Sequence, residues 1–296
     1  MGMDSIKEPN LEKRETFMLL IEDLEKTYGK VTAVKGLNLA IAQGEFFGLL
    51  GPNGAGKSTT VRMLSTLTPP TSGAVNIAGR RLDRNLTDIK RTIGVVPQHN
   101  NLDGEMTAWE NLELHGRLFG LGQEERWRRI QELLIFTELE ERTHDLVRTF
   151  SGGMKRKLMI ARALMHRPAV LLLDEPTVGL DPAVRRKMWD LLKTLKAEGL
   201  TVLLTTHYIE EAEILCDRVG LMHEGRLIEL DTPPNLISKS GTIVLEHFTQ
   251  GVTTSEFFAT REEALSRAAS LEGSVNIRPA NLEDVFIRLT KRRVSE

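Results

Sequence analysis

The nine residues Gly51-Pro52-Asn53-Gly54-Ala55-Gly56-Lys57-Ser58-Thr59 decide how the rest of the chain is read. Gly51, Gly56, Lys57 and Ser58 fall at the G-x-x-x-x-G-K-[ST] spacing of a phosphate-binding loop. Gly51, Gly54 and Gly56 let the backbone curl until its N–H groups point inward, and the following helix adds the partial positive charge of its N-terminus. A polyphosphate fits such a nest. Lys57 reaches the β- and γ-phosphates as a point charge, and the Ser58 hydroxyl is placed to hold the Mg²⁺ that neutralises the same oxygens. Four fixed positions recur by accident in roughly one chain in a hundred of this length. Context lowers that further: the apolar run FFGLL (residues 46–50) precedes the loop, and TTVRMLSTL (residues 59–67), with helical spacing, follows it.

At 296 residues, 41% hydrophobic and 27% charged, the chain is long enough for one large or two modest domains with their own core. A formal net charge of −2 argues against a nucleic-acid binder. Arg126, Arg128 and Arg129 could form a local basic patch, but read first as a solvated helix face. The longest apolar runs are about five residues against the roughly 18 to 20 needed to cross a bilayer, and no signal-peptide pattern opens the chain, so a cytosolic protein is expected. The single cysteine, Cys216, gives neither an internal disulfide nor a zinc spacing and reads as a small packed side chain.

Residues 1–16 are polar, mixed in charge and aperiodic, and read as a frayed leader. FMLLIEDL (17–24) and VKGLNLAIA (34–42) alternate as strands about a turn at Tyr28-Gly29, which suggests an antiparallel edge. Tyr28 in that turn is either a surface cap or a ring that stacks on a nucleotide base. Strands are expected at 75–79 and 92–98, the second delivering Gln98 to a strand end, where it can bind Mg²⁺ or orient a water. Residues 107–149 have helical periodicity and form an insertion. The polar link 100–110 joins it to Gln98 and carries Trp109, which reads as exposed. A helix then starts at Ser151 and stops at Pro168, so Ser151, Gly152 and Gly153 make a second anion site.

AVLLLDEPT (169–177) is a buried strand that runs into Asp174 and Glu175 at its carboxyl end. Asp174 is positioned to hold Mg²⁺ through water and Glu175 to polarise an attacking water. GLDP (179–182) turns into a helix over 183–197, and TVLLTTH (201–207) is a second buried strand ending in His207. His207 can donate to a γ-phosphate, or it is an ordinary structural histidine. A helix over 209–216 and a strand pair follow, with a polar boundary at Pro233-Pro234; the remainder ends in the periodic NLEDVFIRLTKRR (281–293).

The ordered set TYGK (27–30), GPNGAGKST, VVPQ (95–98), FSGGMKRK (150–157), VLLLDEPT (170–177), GLDP and TTH (205–207) resembles the nucleotide-binding subunit of an ATP-binding-cassette (ABC) transporter over roughly residues 17–230. The signature before the basic helix discriminates, because other P-loop ATPases lack it. The resemblance implies an α/β P-loop NTPase core: a mixed sheet with helices and an antiparallel β edge, an inserted helical subdomain at about 99–165, and a small C-terminal extension over 231–296. It implies ATP and Mg²⁺ as ligands, held by Tyr28 on adenine, by residues 51–59 on the phosphates, and by Ser58, Gln98 and, through water, Asp174 on the metal. Glu175 is then the catalytic base, assisted by Lys57, Gln98 and the switch histidine His207.

Ser151, Gly152, Gly153 and Met154 would close over ATP bound by a second copy of the chain, and Asp181 would lie in a dimer-interface loop. A separate transmembrane permease is the implied partner, with the chain peripheral on the cytoplasmic face of the cell membrane and no nucleic acid bound. The signature departs from the usual LSGGQ: Phe150 and Met154 replace Leu and Gln, which puts side-chain coupling through position 154 in doubt but not phosphate contact. SGGMKRKL, EPTVGLDP and the terminal helix resemble exporters of drug, lipid and polysaccharide type, particularly the daunorubicin-resistance and nodulation-factor ATPases. An importer ATPase, or a non-transport member acting on nucleic acid or ribosomes, is the alternative.

Overall fold

The computed structural model describes residues 17–82, 86–249 and 251–294; the leader expected over 1–16 lies outside the described residues. Strands β1 (Phe17–Tyr28) and β2 (Val31–Ala42) pair antiparallel around a tight turn at 29–30, so Tyr28 is the last residue of its strand. β3 (Phe46–Leu50) leads into the glycine loop and helix α1 (Lys57–Leu64). β4 (Ser72–Ile77) returns to pair with β1, and the short β5 (Arg80–Arg81) pairs with β4. These four make a sheet of their own, in the order β2-β1-β4-β5.

After α2 (Leu86–Thr92) and β6 (Ile93–Val96) come the insertion helices α3 (Ala108–Leu118) and α4 (Gln123–Phe136), then α5 (Gly152–Leu164). β7 (Val170–Asp174), α6 (Pro182–Ala197), β8 (Thr201–Thr206), α7 (Ile209–Leu215), β9 (Arg218–His223) and β10 (Arg226–Asp231) complete the core. The main sheet runs β10-β9-β3-β8-β7-β6, parallel throughout except for β10, its antiparallel edge. Parallel strands covered on both faces are continuous apolar runs rather than alternations, and every residue of β3, β7 and β8 is buried. One face packs on the four-stranded sheet and α1 through residues such as Phe47, Leu49, Ile41 and Met63. The other packs on the helical insertion and α6 through Phe46, Leu158, Leu173 and Leu192.

The register aligns Leu50 with Thr206 and Asp174 with Thr205, so β3, β7 and β8 end level. What leaves those three ends meets at one edge of the sheet, where ligands of open α/β folds are held.

Several sequence expectations are corrected. Residues 137–149 are not helical: α4 stops where Thr137 Oγ1 bonds back to Leu133 O (2.7 Å) and Glu138 turns to φ +55°, and two short 3₁₀ turns, Glu140–Arg142 and Val147–Thr149, follow. Arg126 is not part of a solvated face. It is buried, with Nε and Nη2 donating to the two oxygens of Glu113 (2.9 and 2.8 Å) and Nη1 to Leu121 O (2.6 Å), which pins α4 to α3. Trp109 is half-buried and packs against the core instead of standing in solvent.

The pair Pro233-Pro234 opens a helix, α8 (Pro233–Ser240), because Thr232 caps it and proline suits a first turn that needs no N–H. β11 (Ile243–Thr249), β12 (Val252–Phe258), α9 (Arg261–Ala268) and β13 (Ser274–Pro279) build a small sheet in the order β12-β11-β13. α10 (Leu282–Val294) closes the described chain. Leu236 of α8 and Leu282 and Val285 of α10 are buried within the core cluster of the main sheet.

Candidate functional site

The loop after β3 takes its shape from two glycines with no space for a side chain. A Cβ on Gly51 would lie 2.2 Å from Met222 O, so the loop can leave β3 beside β9 only without one. Gly56 caps α1 at φ +106°, and a Cβ there would meet Ala33 O at 2.5 Å. The loop encloses a pocket of about 410 Å³ lined by Ala33, Asn53, Gly54, Gly56, Lys57, Ser58, Thr59, Gln98 and Glu175. Lys57, 4% exposed, donates from Nζ to Gly51 O (2.8 Å) and Pro52 O (3.1 Å) and lies 3.3 Å from Glu175 Oε1. Its ammonium is thus held at the centre of the loop, where phosphate oxygens of a bound ligand would replace those partners.

The carboxylates come from the end of β7. Asp174 Oδ1 accepts from Ser58 Oγ (3.0 Å) and Thr205 Oγ1 (2.6 Å), so one oxygen joins the phosphate loop to β8. A hydroxyl and a carboxylate side by side at the pocket are hard oxygen donors of the kind Mg²⁺ takes. Glu175 sits at φ +49°, a conformation a non-glycine residue adopts only when its surroundings impose it. Its N–H is held by Thr205 O (3.0 Å), Gln98 Nε2 donates to Oε2 (3.2 Å), and His207 Nδ1 lies 3.2 Å from the same Oε2 without hydrogen-bond geometry. Lys57, Gln98 and His207, read from three separate motifs, therefore converge on one carboxylate.

Tyr28 stands at the hairpin tip, 46% exposed, with Lys26 Nζ 4.9 Å above its ring; it is not among the residues lining the pocket. Nor are Ser151, Gly152, Gly153, Met154 and Asp181. Ser151 does cap α5, its Oγ accepting from Met154 N (3.3 Å), and Asp181 caps α6, its Oδ1 accepting from Val184 N (3.0 Å). The two helix starts abut: a Cβ on Gly153 would lie 2.5 Å from Val184 Cγ1. Two further residues escape a reading by motif. Arg156, buried on α5, donates to Pro97 O (2.7 Å) and Gln98 O (3.0 Å), fixing the backbone that carries Gln98. Glu211, fully buried on α7, accepts from Thr177 Oγ1 (2.8 Å) and Trp189 Nε1 (3.2 Å). An arginine inside an apolar helix stripe and a glutamate four residues past His207 were the available signals.

A phosphate loop at the centre of a parallel sheet, with carboxylate, amide and imidazole gathered beside it, defines a P-loop nucleotide-binding protein. The family model for the ABC transporter matches residues 34–178. The chain is 42% identical over 303 residues to Nod factor export ATP-binding protein I of Cupriavidus metallidurans, covering 95% of this chain and all (100%) of that protein. It is 41% identical over 276 residues to linearmycin resistance ATP-binding protein LnrL of Bacillus subtilis, covering 92% of this chain and 89% of the relative. The chain belongs to the ATP-binding subunits of ABC transporters. Among solved structures it is similar to an ATP-binding subunit of an ABC transporter (TM-score 0.71, 30% identity, 92% of this chain and 99% of that one). It is also similar to the ATP-binding cassette MJ0796, described as a dimer in a post-hydrolysis state bound to ADP and Pi (TM-score 0.67, 35% identity, 73% of this chain and 98% of that one).

Proposed function

We propose that this chain is the Mg-dependent ATPase of an exporter, energising a separate membrane permease, and that two copies act as a dimer around two ATP molecules. The convergence of Lys57, Gln98 and His207 on Glu175 carries the catalytic part. Phosphoryl transfer to water asks for positioning and charge neutralisation more than covalent chemistry. Lys57 would hold the β- and γ-phosphates, Glu175 would accept the proton of the attacking water, and Gln98 and His207 would orient that water and the γ-phosphate. Ser58, Gln98 and, through water, Asp174 would hold Mg²⁺, whose charge stabilises the phosphate oxygens. Tyr28 would stack on adenine from the hairpin tip.

Export is supported by two relatives named for export and for resistance, both above 40% identity and spanning most of both chains. Dimer formation is supported by the dimeric MJ0796 cassette and by the outward-facing Ser151 and Asp181 caps, which a second copy can complete. No helix among the described residues is long and apolar enough to cross a membrane, in keeping with a permease on another chain. Chain boundaries of 17–230 for the ATPase and about 99–165 for its helical subdomain, and a site on the cytoplasmic face of the membrane, belong to the same reading. The test is calorimetric ATP affinity and phosphate release for the unmodified protein and for Lys57→Ala, with and without Mg²⁺. A cation facing phosphate acts in ground and transition states alike, so the variant should lose both affinity and rate. Unchanged affinity would overturn the placement of ATP.

A further inference from the structure

We infer that Thr205 is a positioning residue that sets the metal-side and water-side carboxylates together. It occupies the next-to-last position of β8, fully buried, directly beside Asp174 in the parallel register. Its hydroxyl donates to Asp174 Oδ1 at 2.6 Å, the shorter of the two bonds that oxygen receives; Leu173 O, at 3.5 Å, is the remote alternative. The same Oγ1 lies 3.2 Å from Glu175 N–H, and the Thr205 carbonyl accepts that N–H at 3.0 Å. One residue therefore orients the Asp174 carboxylate and holds the backbone of Glu175, which leaves β7 at φ +49°.

β8 reads TVLLTT and is buried throughout, so packing alone gives no reason for a hydroxyl at position 205. Valine has nearly the same shape and carries no polar group that must be satisfied. The hydroxyl is explained by its acceptor. A ligating carboxylate is free to rotate about χ2 unless a second group fixes it, and outer partners of this kind typically change metal affinity by about 10- to 100-fold when removed. Ser58 cannot do this alone, because its hydroxyl is itself required at the metal.

The inference rests on the reading of Asp174 as a metal-side residue, and the experiment separates the two. Binding of a fluorescent ATP analogue is followed as magnesium chloride is titrated, for the unmodified chain, Thr205→Val, Thr205→Ser, Thr205→Ala and Asp174→Asn, with EDTA controls. Thr205→Val and Thr205→Ala should move the magnesium midpoint up by about 10- to 100-fold and leave binding in EDTA unchanged; Thr205→Ser, which keeps the hydroxyl, should restore the original midpoint. A shifted Asp174→Asn beside an unshifted Thr205→Val overturns the inference and leaves the metal reading standing. Thr205→Ser as defective as Thr205→Ala assigns the effect to the lost methyl and overturns it as well. An unshifted Asp174→Asn overturns the metal reading and the inference with it. Should Thr205→Val fail to fold, the Ser and Ala pair carries the comparison.

Discussion

Lys57 Nζ lies 3.3 Å from Glu175 Oε1, and each side chain is 4% exposed. Removing one member of a buried ion pair typically costs about 3 to 5 kcal/mol, because the other is left uncompensated. Here the two members are not equally dependent. Lys57 keeps two carbonyls, Gly51 O and Pro52 O, if Glu175 is neutralised, whereas the Glu175 carboxylate keeps the neutral Gln98 amide as its hydrogen-bond donor, with His207 Nδ1 at 3.2 Å outside hydrogen-bond geometry, if Lys57 is removed. In the nucleotide-free protein Lys57→Ala should therefore lower the unfolding free energy by about 3 kcal/mol, and Glu175→Gln by clearly less. Urea melts with unchanged slope measure both, and the reverse order would contradict this account of the pair.

Glu175→Gln preserves shape and removes the carboxylate proposed as the base. ATP should still bind and hold a dimer on a sizing column with Mg-ATP, while turnover falls by about 10² to 10⁴, the usual worth of general-base help. Hydrolysis near the unmodified rate would show that another group takes the proton.

The Ser151 cap is exposed and does not line the pocket of its own chain, which leads to a mixing experiment. In the proposed dimer Lys57→Ala damages the phosphate loop and Ser151→Arg the signature, so each homodimer would have two damaged sites. In a mixed dimer one site carries both lesions, and the other joins an intact Lys57 to an intact Ser151. Mixing the two inactive proteins should restore part of the hydrolysis. If subunit exchange is demonstrated and a linked dimer with one wild-type half is active, yet the mixture stays inactive, the site is built within one chain.

Arg156 grips the carbonyls of Pro97 and Gln98 from the signature helix, so it links that helix to the residue beside Glu175. Arg156→Leu should leave ATP affinity within about twofold and slow hydrolysis by about 10- to 100-fold, since small misplacement of an orienting group costs that much. A loss confined to ATP affinity would argue for a purely structural side chain.

Burial raises the Glu211 carboxyl above its ordinary value of 4.5, against the hydrogen bonds from Thr206, Thr177 and Trp189 that pull it down. A carboxyl raised in the fold contributes stability that is complete below its ordinary value and is lost as pH rises through the raised one. Glu211→Gln removes that loss, so the variant should gain on the unmodified protein as pH rises above the ordinary carboxyl value of 4.5. His115 acts in the opposite sense. Burial lowers it from 6.5 to about 3, so stability is lost as pH falls below 6.5, but this affects both proteins and cancels in the difference. A difference that is flat with pH would mean that Glu211 is charged in the fold.

The chain's own residues determined the loop, the order of motifs and the strands that carry them. Glycines at 51 and 56, five apolar residues before them and a helical stripe after them admit few other structures, because local sterics and hydrophobic period act over short distances. Family membership and the placing of Glu175, Gln98 and His207 near strand ends were legible for the same reason: each follows within two residues of the end of a largely buried strand. Tertiary structure decided what depends on residues far apart in sequence. Arg126 looks like a surface charge until Glu113 is found opposite it. Thr205 looks like one more strand residue until the register sets it against Asp174, which is 31 positions away. Pro233-Pro234 looks like a break until Leu236 is found buried in the main core. A buried polar group is explained by its partner, and only the packed chain brings the partner to it.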